Sequence, residues 1–195
     1  MSARIVLALG LLLSGCLTPR PPADPRYFSP AAAPVARDVA PRSGPGPELR
    51  LRRVFAADYL RDRMVWRRGV EVGFHDLLRW TEPPANYVQA RLEQELFVQR
   101  GLRRVTRPGA PSLTVELLAF DEVLEPAREA LVTLAVLLTD ASQVSFLERT
   151  ISVRHPIAGE RAEDVALALG EALAEAIREL GGEVEAALAE RQPGH

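Results

Sequence analysis

The sequence predicts an α+β fold: a mostly antiparallel sheet of about six strands with two helices packed on it, in the order βββαβββα, preceded by an apolar leader and a proline-rich linker. Three observations carry this reading. Short segments between residues 49 and 74, and again between 113 and 153, alternate apolar with polar side chains, the two-residue period of a half-exposed strand. Residues 85–100 and 161–190 instead repeat their apolar side chains at helical spacing. Gly69, Pro83-Pro84, Gly101 and His155-Pro156 punctuate the joins.

The chain of 195 residues divides into a leader at 1–15, a tether at 16–47, a domain at 48–190 and a disordered tail at 191–195. The domain is large enough to bury a real core. A formal net charge of -2 gives no global attraction to nucleic acid. All 24 basic residues are arginine, which reads as compositional background.

Met1 to Arg4 is a short basic start, and Ile5 to Leu13 is an unbroken apolar or small run. That is the layout of a secretory signal with a short apolar region. At about 1.5 Å per residue the run covers roughly 14 Å, half of a ~30 Å hydrocarbon core, so a spanning helix is the poorer reading. Leu13-Ser14-Gly15-Cys16, at its end, resembles the lipobox of bacterial lipoproteins. The resemblance implies cleavage after Gly15, a diacylglycerol thioether on Cys16, and acylation of the freed amine by a chain such as palmitate. Cys16 is the single cysteine, so a mature chain so processed has no free thiol, no disulfide framework and no thiol nucleophile. Several acyl chains make a stable anchor where one does not.

From Leu17 to Pro47 the chain is rich in proline, alanine, serine and glycine. Proline fixes φ and removes backbone donors, which favours an extended, solvated tether. At ~3.1 Å per residue such a tether reaches at most about 95 Å from a bilayer. Tyr27-Phe28 is its one apolar pair, either incidental or a first strand docked on the domain edge.

Leu49 to Phe55 is expected as a strand, and Ala56 to Arg61 as a connection. Met64 to Arg67 and Val70 to Phe74 are expected as the arms of a hairpin around Arg67-Arg68-Gly69, with Val70, Val72 and Phe74 on one face. Gly69 supplies the permissive backbone of the turn. Leu77 to Glu82 leads past Trp80 into Pro83-Pro84, which suit a first helical turn. From Ala85 to Arg100, Val88, Leu92, Leu96 and Gln99 share one face of a helix that Gly101 stops.

Leu113, Val115, Leu117 and Ala119 alternate as in a half-exposed strand. Leu131 to Leu138 is apolar on nearly both phases, as expected of a central strand covered on two sides. A third strand runs from about Val144 to Val153. From Arg161 to about Glu190, Val165, Leu169, Leu173, Ile177, Leu180, Val184 and Leu188 repeat at helical spacing, with Gly181-Gly182 expected to mark a bend or a helix end.

Val54-Phe55-Ala56-Ala57-Asp58-Tyr59-Leu60-Arg61-Asp62-Arg63-Met64-Val65-Trp66-Arg67, followed by Leu78-Arg79-Trp80-Thr81-Glu82-Pro83, resembles the core signature of the ABC-type transport auxiliary lipoproteins, the PqiC-like family. The signature joins a strand, a Tyr-Leu turn, a strand with basic ends and a tryptophan leading into a proline-started helix. The resemblance covers Tyr27 to about Leu188. It implies an accessory role beside an ABC ATPase, a permease and an MCE-domain protein that bridges the envelope and conducts lipids. It also implies a place on the periplasmic side of a Gram-negative envelope, at its outer-membrane end, and assembly into homo-oligomeric rings. Residue 17 is Leu, not the Asp that retains enteric lipoproteins at the inner membrane.

Catalytic chemistry finds little support. His75, His155 and His195 include no pair at metal-ligand spacing, and no glycine-rich phosphate loop is present. His75-Asp76 is read as a solvent-exposed strand end, and Asp121, Glu122 and Glu125 as hydrated loop carboxylates. No catalytic residue, no metal and no cofactor beyond the acyl groups on Cys16 is expected.

Interface candidates are Tyr59, Arg63, Trp66, Trp80 and Glu175. Both tryptophans also suit core anchors. Arginines crowd the early strands while acids enrich the last helix, which suits either two solvated faces or copies meeting head to tail. The expected function is that of a non-catalytic anchored auxiliary that binds or caps the bridging protein. Alternatives are a structural outer-membrane lipoprotein acting without a transporter, or a carrier of a hydrophobic ligand, which needs an apolar cavity between sheet and helices.

Overall fold

A computed structural model of the chain describes residues 23–30 and 46–191. The leader, Leu13 to Cys16, most of the tether, and the tail beyond Arg191 lie outside the described residues. The elements are β1 (Arg26–Phe28), β2 (Glu48–Leu51), β3 (Phe55–Ala56), β4 (Arg63–Arg68), β5 (Glu71–Trp80), α1 (Pro84–Glu93), β6 (Arg103–Arg104), β7 (Ser112–Val123), β8 (Glu129–Thr139), β9 (Ser145–Pro156) and α2 (Ala162–Glu190). A π-helical turn at Gln94–Gln99 extends α1.

These strands form one nine-stranded mixed sheet, not the mostly antiparallel six expected. β7 lies at its centre. Along one side β2, β3 and β4 are laid end to end, all parallel to β7, with Arg50 opposite Ser112, Phe55 opposite Glu116 and Val65 opposite Asp121. Along the other side β8 pairs antiparallel, and β9 pairs antiparallel beyond it. The reason is the crossover. β4 and β5 form the expected hairpin, but the chain then passes through α1 and β6 before β7, and a connection of that length lets β7 return parallel to β4. Side-chain periodicity carries no information about strand direction.

The strand expected at Leu49–Phe55 breaks at Arg52–Val54 because the Val54 N–H donates to the Gln89 side chain of α1, 2.9 Å away, instead of to the sheet. The pairing resumes where the Ala57 N–H donates to the Leu117 carbonyl at 2.9 Å. The hairpin turns at Gly69, whose φ of 57° is the left-handed backbone that glycine adopts without strain. Val70 sits in that turn, fully exposed, instead of sharing a face with Val72 and Phe74. The stretch beyond Leu77 is not a connection, since β5 runs on to Trp80. Tyr27-Phe28 does form a strand: β1 pairs parallel with Leu78–Trp80.

The core lies between the sheet and the helices. Val165, Leu169, Leu173, Ile177, Leu180, Val184 and Leu188 of α2 are each at most 4% exposed, and Val88 and Leu92 of α1, with Leu96 of the π-turn, are fully buried. They meet Leu113, Val115, Leu117, Phe120, Val132, Leu134 and Leu138. Expected cover on two sides of β8 is not found, since Leu137 remains exposed and only Ala119, Val123 and Leu131 gather into a small second cluster. α2 starts at a cap in which the Asp164 carboxylate accepts the Arg161 backbone N–H at 3.0 Å.

Gly181-Gly182 does not end α2, which continues to Glu190. Gly181 is there for close approach: a Cβ on it would sit 2.5 Å from Arg100 Nε and 2.9 Å from Glu95 Cγ. Those groups are tied, because Arg100 donates to Glu95 at 2.8 Å and to Glu185 at 2.7 Å. At Gly182 the nearest atom would be 3.8 Å away, an ordinary contact. Opposite signs are therefore expected. Gly182→Ala should stabilise by up to about 1 kcal/mol through helix propensity, whereas Gly181→Ala should destabilise by about 1–2 kcal/mol through overpacking. Paired urea denaturation curves check both.

Candidate functional site

At the end of β7, Asp121 and Glu122 are 0% and 1% exposed. Neighbours on a strand point to opposite faces, so each acid has its own partners. On one face Arg67 of β4 donates through Nη2 and Nε to Asp121 Oδ2, at 2.8 and 3.0 Å. Tyr59, on the excursion between β3 and β4, donates its hydroxyl to the Leu118 carbonyl at 2.9 Å and lies 3.3 Å from both Asp121 oxygens. On the other face Glu122 accepts from Arg128 Nε at 2.6 Å and meets His75 Nε2 at 2.7 Å. Arg128 in turn donates to the Gly159 carbonyl ahead of α2.

Asp121 and Glu122 are thus not hydrated loop carboxylates, whereas Glu125 is exposed in the β7–β8 connection as expected; nor is His75 a solvent-exposed strand end. Burial alone would raise the Glu122 carboxyl, but hydrogen bonds from His75 and Arg128 outweigh it and hold the group below the usual carboxylate range. Burial, with the Asp121 carboxylate beside it, pushes the Tyr59 phenol up to about 12. An unfolded tyrosine ionises near 10.0. The folded state therefore resists an ionisation that the unfolded state gains, and stability is lost as pH rises through that interval. The alkaline limb of a thermal-denaturation profile should be shallower in Tyr59→Phe than in the parent.

Chemically the arrangement locks elements together. Two arginines, a histidine and a tyrosine saturate two adjacent acids, joining β4, β5, β7, the β3–β4 excursion and the approach to α2. Among the described residues no group of three or more His, Cys, Asp or Glu is placed to hold a metal ion.

The other interface candidates fall elsewhere. Arg63 stacks over Phe74, 4.9 Å from the ring centroid, and lies 3.3 Å from Asp76. Trp66 is half-buried over Gly73, where a Cβ would lie 2.1 Å from Trp66 Cζ2. Trp80 is 2% exposed and packs edge-on against Phe120 and Tyr87, so it is a core anchor that a partner does not reach. Glu175 is exposed on α2. The acidic surface of α2 is partly neutralised within the chain, by Arg26 on Glu163 and Arg149 near Glu183, and His155 lies 3.2 Å from Glu171. Sequence reading missed the Tyr59–Arg67–Asp121 link, although Asp121 continues an alternating strand pattern that an exposed loop would not.

A groove of about 430 Å3 opens at the far end of the sheet, with Glu48, Arg103, Asp140 and Arg191 among its lining. Its lining mixes these charged side chains with Phe146 of β9 and Leu188 of α2, at the end of the sheet where α2 finishes. No described helix is long and apolar enough to cross a membrane.

A crystal structure of a protein from Xanthomonas campestris shares the fold, with a TM-score of 0.72 at 17% identity over 85% of this chain and 97% of that one. A second crystal structure, of an uncharacterized protein, has a TM-score of 0.64 at 13% identity over 83% of this chain and 99% of that one. No curated protein sequence matches. The family model of the ABC-type transport auxiliary lipoprotein component matches residues 29–181, from the end of β1 into α2 and across both faces of the acid pair, and the chain belongs to that family of envelope lipoproteins.

Proposed function

We propose that this chain is a non-catalytic auxiliary lipoprotein of an ABC/MCE-type system that moves lipid or another hydrophobic compound between membranes. Acyl chains on Cys16 hold it at the outer membrane, and the domain binds or caps the MCE-domain protein that bridges the envelope, several copies forming a ring. The observation that carries this reading is the family match over residues 29–181. The lipobox residues Leu13 to Cys16 and the saturation of both buried acids by structural partners support it.

The test is crosslinking and co-purification of the anchored protein from its native envelope, with Cys16→Ala as control. Recovery of an MCE-domain protein and an ABC permease, much reduced in Cys16→Ala, is expected. Recovery of the chain alone, or with outer-membrane structural proteins only, would replace the proposal with a structural lipoprotein.

A further inference from the structure

β1 sets the direction from which the anchored end arrives. It runs parallel to the last residues of β5, Arg26 opposite Leu78 and Phe28 opposite Trp80. A parallel strand is entered from the side on which its neighbour begins, so the chain ahead of Arg26 comes from the Gly69–Val70 turn. It does not come from the opposite end of the sheet, where β8 and β9 join. β1 is held in that direction. The Thr81 N–H donates to the Phe28 carbonyl at 2.9 Å, and Arg26 meets Glu163 of α2 at 2.5 Å.

Residues 17–25 separate Cys16 from this strand. Fully extended, the ten steps from Arg26 back to Cys16 span about 33–36 Å. The stretch of β5 from Leu78 back to Glu71 covers about 24 Å. The covalent reach of this segment therefore extends at most roughly 10 Å beyond the hairpin tip.

The tip has the surface such a position calls for. Val70 is fully exposed, and Val72 and Phe74 behind it are 39% and 37% exposed. Arg68 lies over the Trp66 ring, 5.9 Å from its centroid. Aromatic rings and guanidinium stems with apolar bodies and polar ends suit the boundary between headgroups and acyl chains.

We propose that the Gly69–Val70 tip of the β4–β5 hairpin is the foot on which the domain rests against the leaflet that holds the Cys16 acyl chains. The inference rests on the anchored reading above and adds an orientation to it: the end with the β8–β9 turn points away from that membrane.

Lipidated full-length protein, reconstituted into phosphatidylcholine–phosphatidylglycerol vesicles containing nitroxide-labelled lipid, tests it. An environment-sensitive fluorophore is placed at Val70→Cys or, at the other end of the sheet, at Val144→Cys; both sites are exposed and accept a probe without disturbing the core. Several-fold stronger quenching at position 70 than at 144 is expected, with a blue-shifted emission at 70 alone. Equal quenching, or stronger quenching at 144, overturns the orientation. Flotation of the same vesicles separates the two readings: protein that floats with the wrong quenching pattern sinks the orientation only, and protein that fails to float sinks both.

Discussion

Arg67→Ala should destabilise the domain by about 3–5 kcal/mol, because removing one partner of a buried ion pair leaves an uncompensated charge in the interior. Asp121 is 0% exposed, and without the guanidinium it keeps only the neutral Phe120 N–H at 3.2 Å and a share of the Tyr59 hydroxyl, whose proton the Leu118 carbonyl accepts at shorter range. Against a total stability of about 5–15 kcal/mol for a natural domain, that loss leaves a large unfolded fraction on warming. Arg67→Met combined with Asp121→Leu should recover most of it, since replacing both charges with apolar groups of similar size removes the desolvation cost as well as the attraction. Chemical denaturation of the parent, the single variant and the double variant decides the matter. A single variant within about 1 kcal/mol of the parent would show the pair behaving like a solvated surface bridge.

Trp80→Ala is the second large effect, at about 3–5 kcal/mol. The indole is at the meeting point of β5, α1 and β7, with ring centroids 5.2 Å from Phe120 and 6.3 Å from Tyr87, and deleting it opens a cavity that surrounding strands cannot close. Trp80→Phe should cost far less. Its smaller ring loses contact area, but the substitution also removes a buried indole N–H that has no acceptor among the described residues, and an unsatisfied buried donor costs about 1–3 kcal/mol. A drop in urea midpoint for the alanine variant at unchanged slope, with a small shift for phenylalanine, is the expected pair of results.

The elements were legible wherever local chemistry decides them. Gly69 marked the hairpin turn, Pro83-Pro84 the start of α1, and the spacing from Val165 to Leu188 the long helix. Strand direction was not legible, because an alternating segment looks the same whether its neighbour runs with it or against it. The break at Val54 depends on Gln89, 35 residues away, and no local signal carries it. The candidate site was half legible. Tyr59 stood out in the Tyr-Leu turn, yet Asp121-Glu122 read as a wet loop because two adjacent acids are almost never buried without partners, and those partners come from four separate segments. Gly181-Gly182 misled for a related reason: a helical glycine reads as weakness until the Arg100–Glu95 pair that needs its space is seen.

The end-to-end alignment of β2, β3 and β4 along β7 has a consequence for the order in which the chain can assemble. Each of those pairings closes a long loop, Arg67 and Asp121 standing 54 positions apart, whereas β7, β8 and β9 meet through short turns and α2 folds back on the same strands. Low-separation contacts form first because they lose less chain entropy before they are rewarded. The later half should therefore order first and offer the free edge of β7 as a template. Until residues 112–123 are available, β3 and β4 have no parallel partner to lie against, so the central sheet closes only after most of the chain has been made.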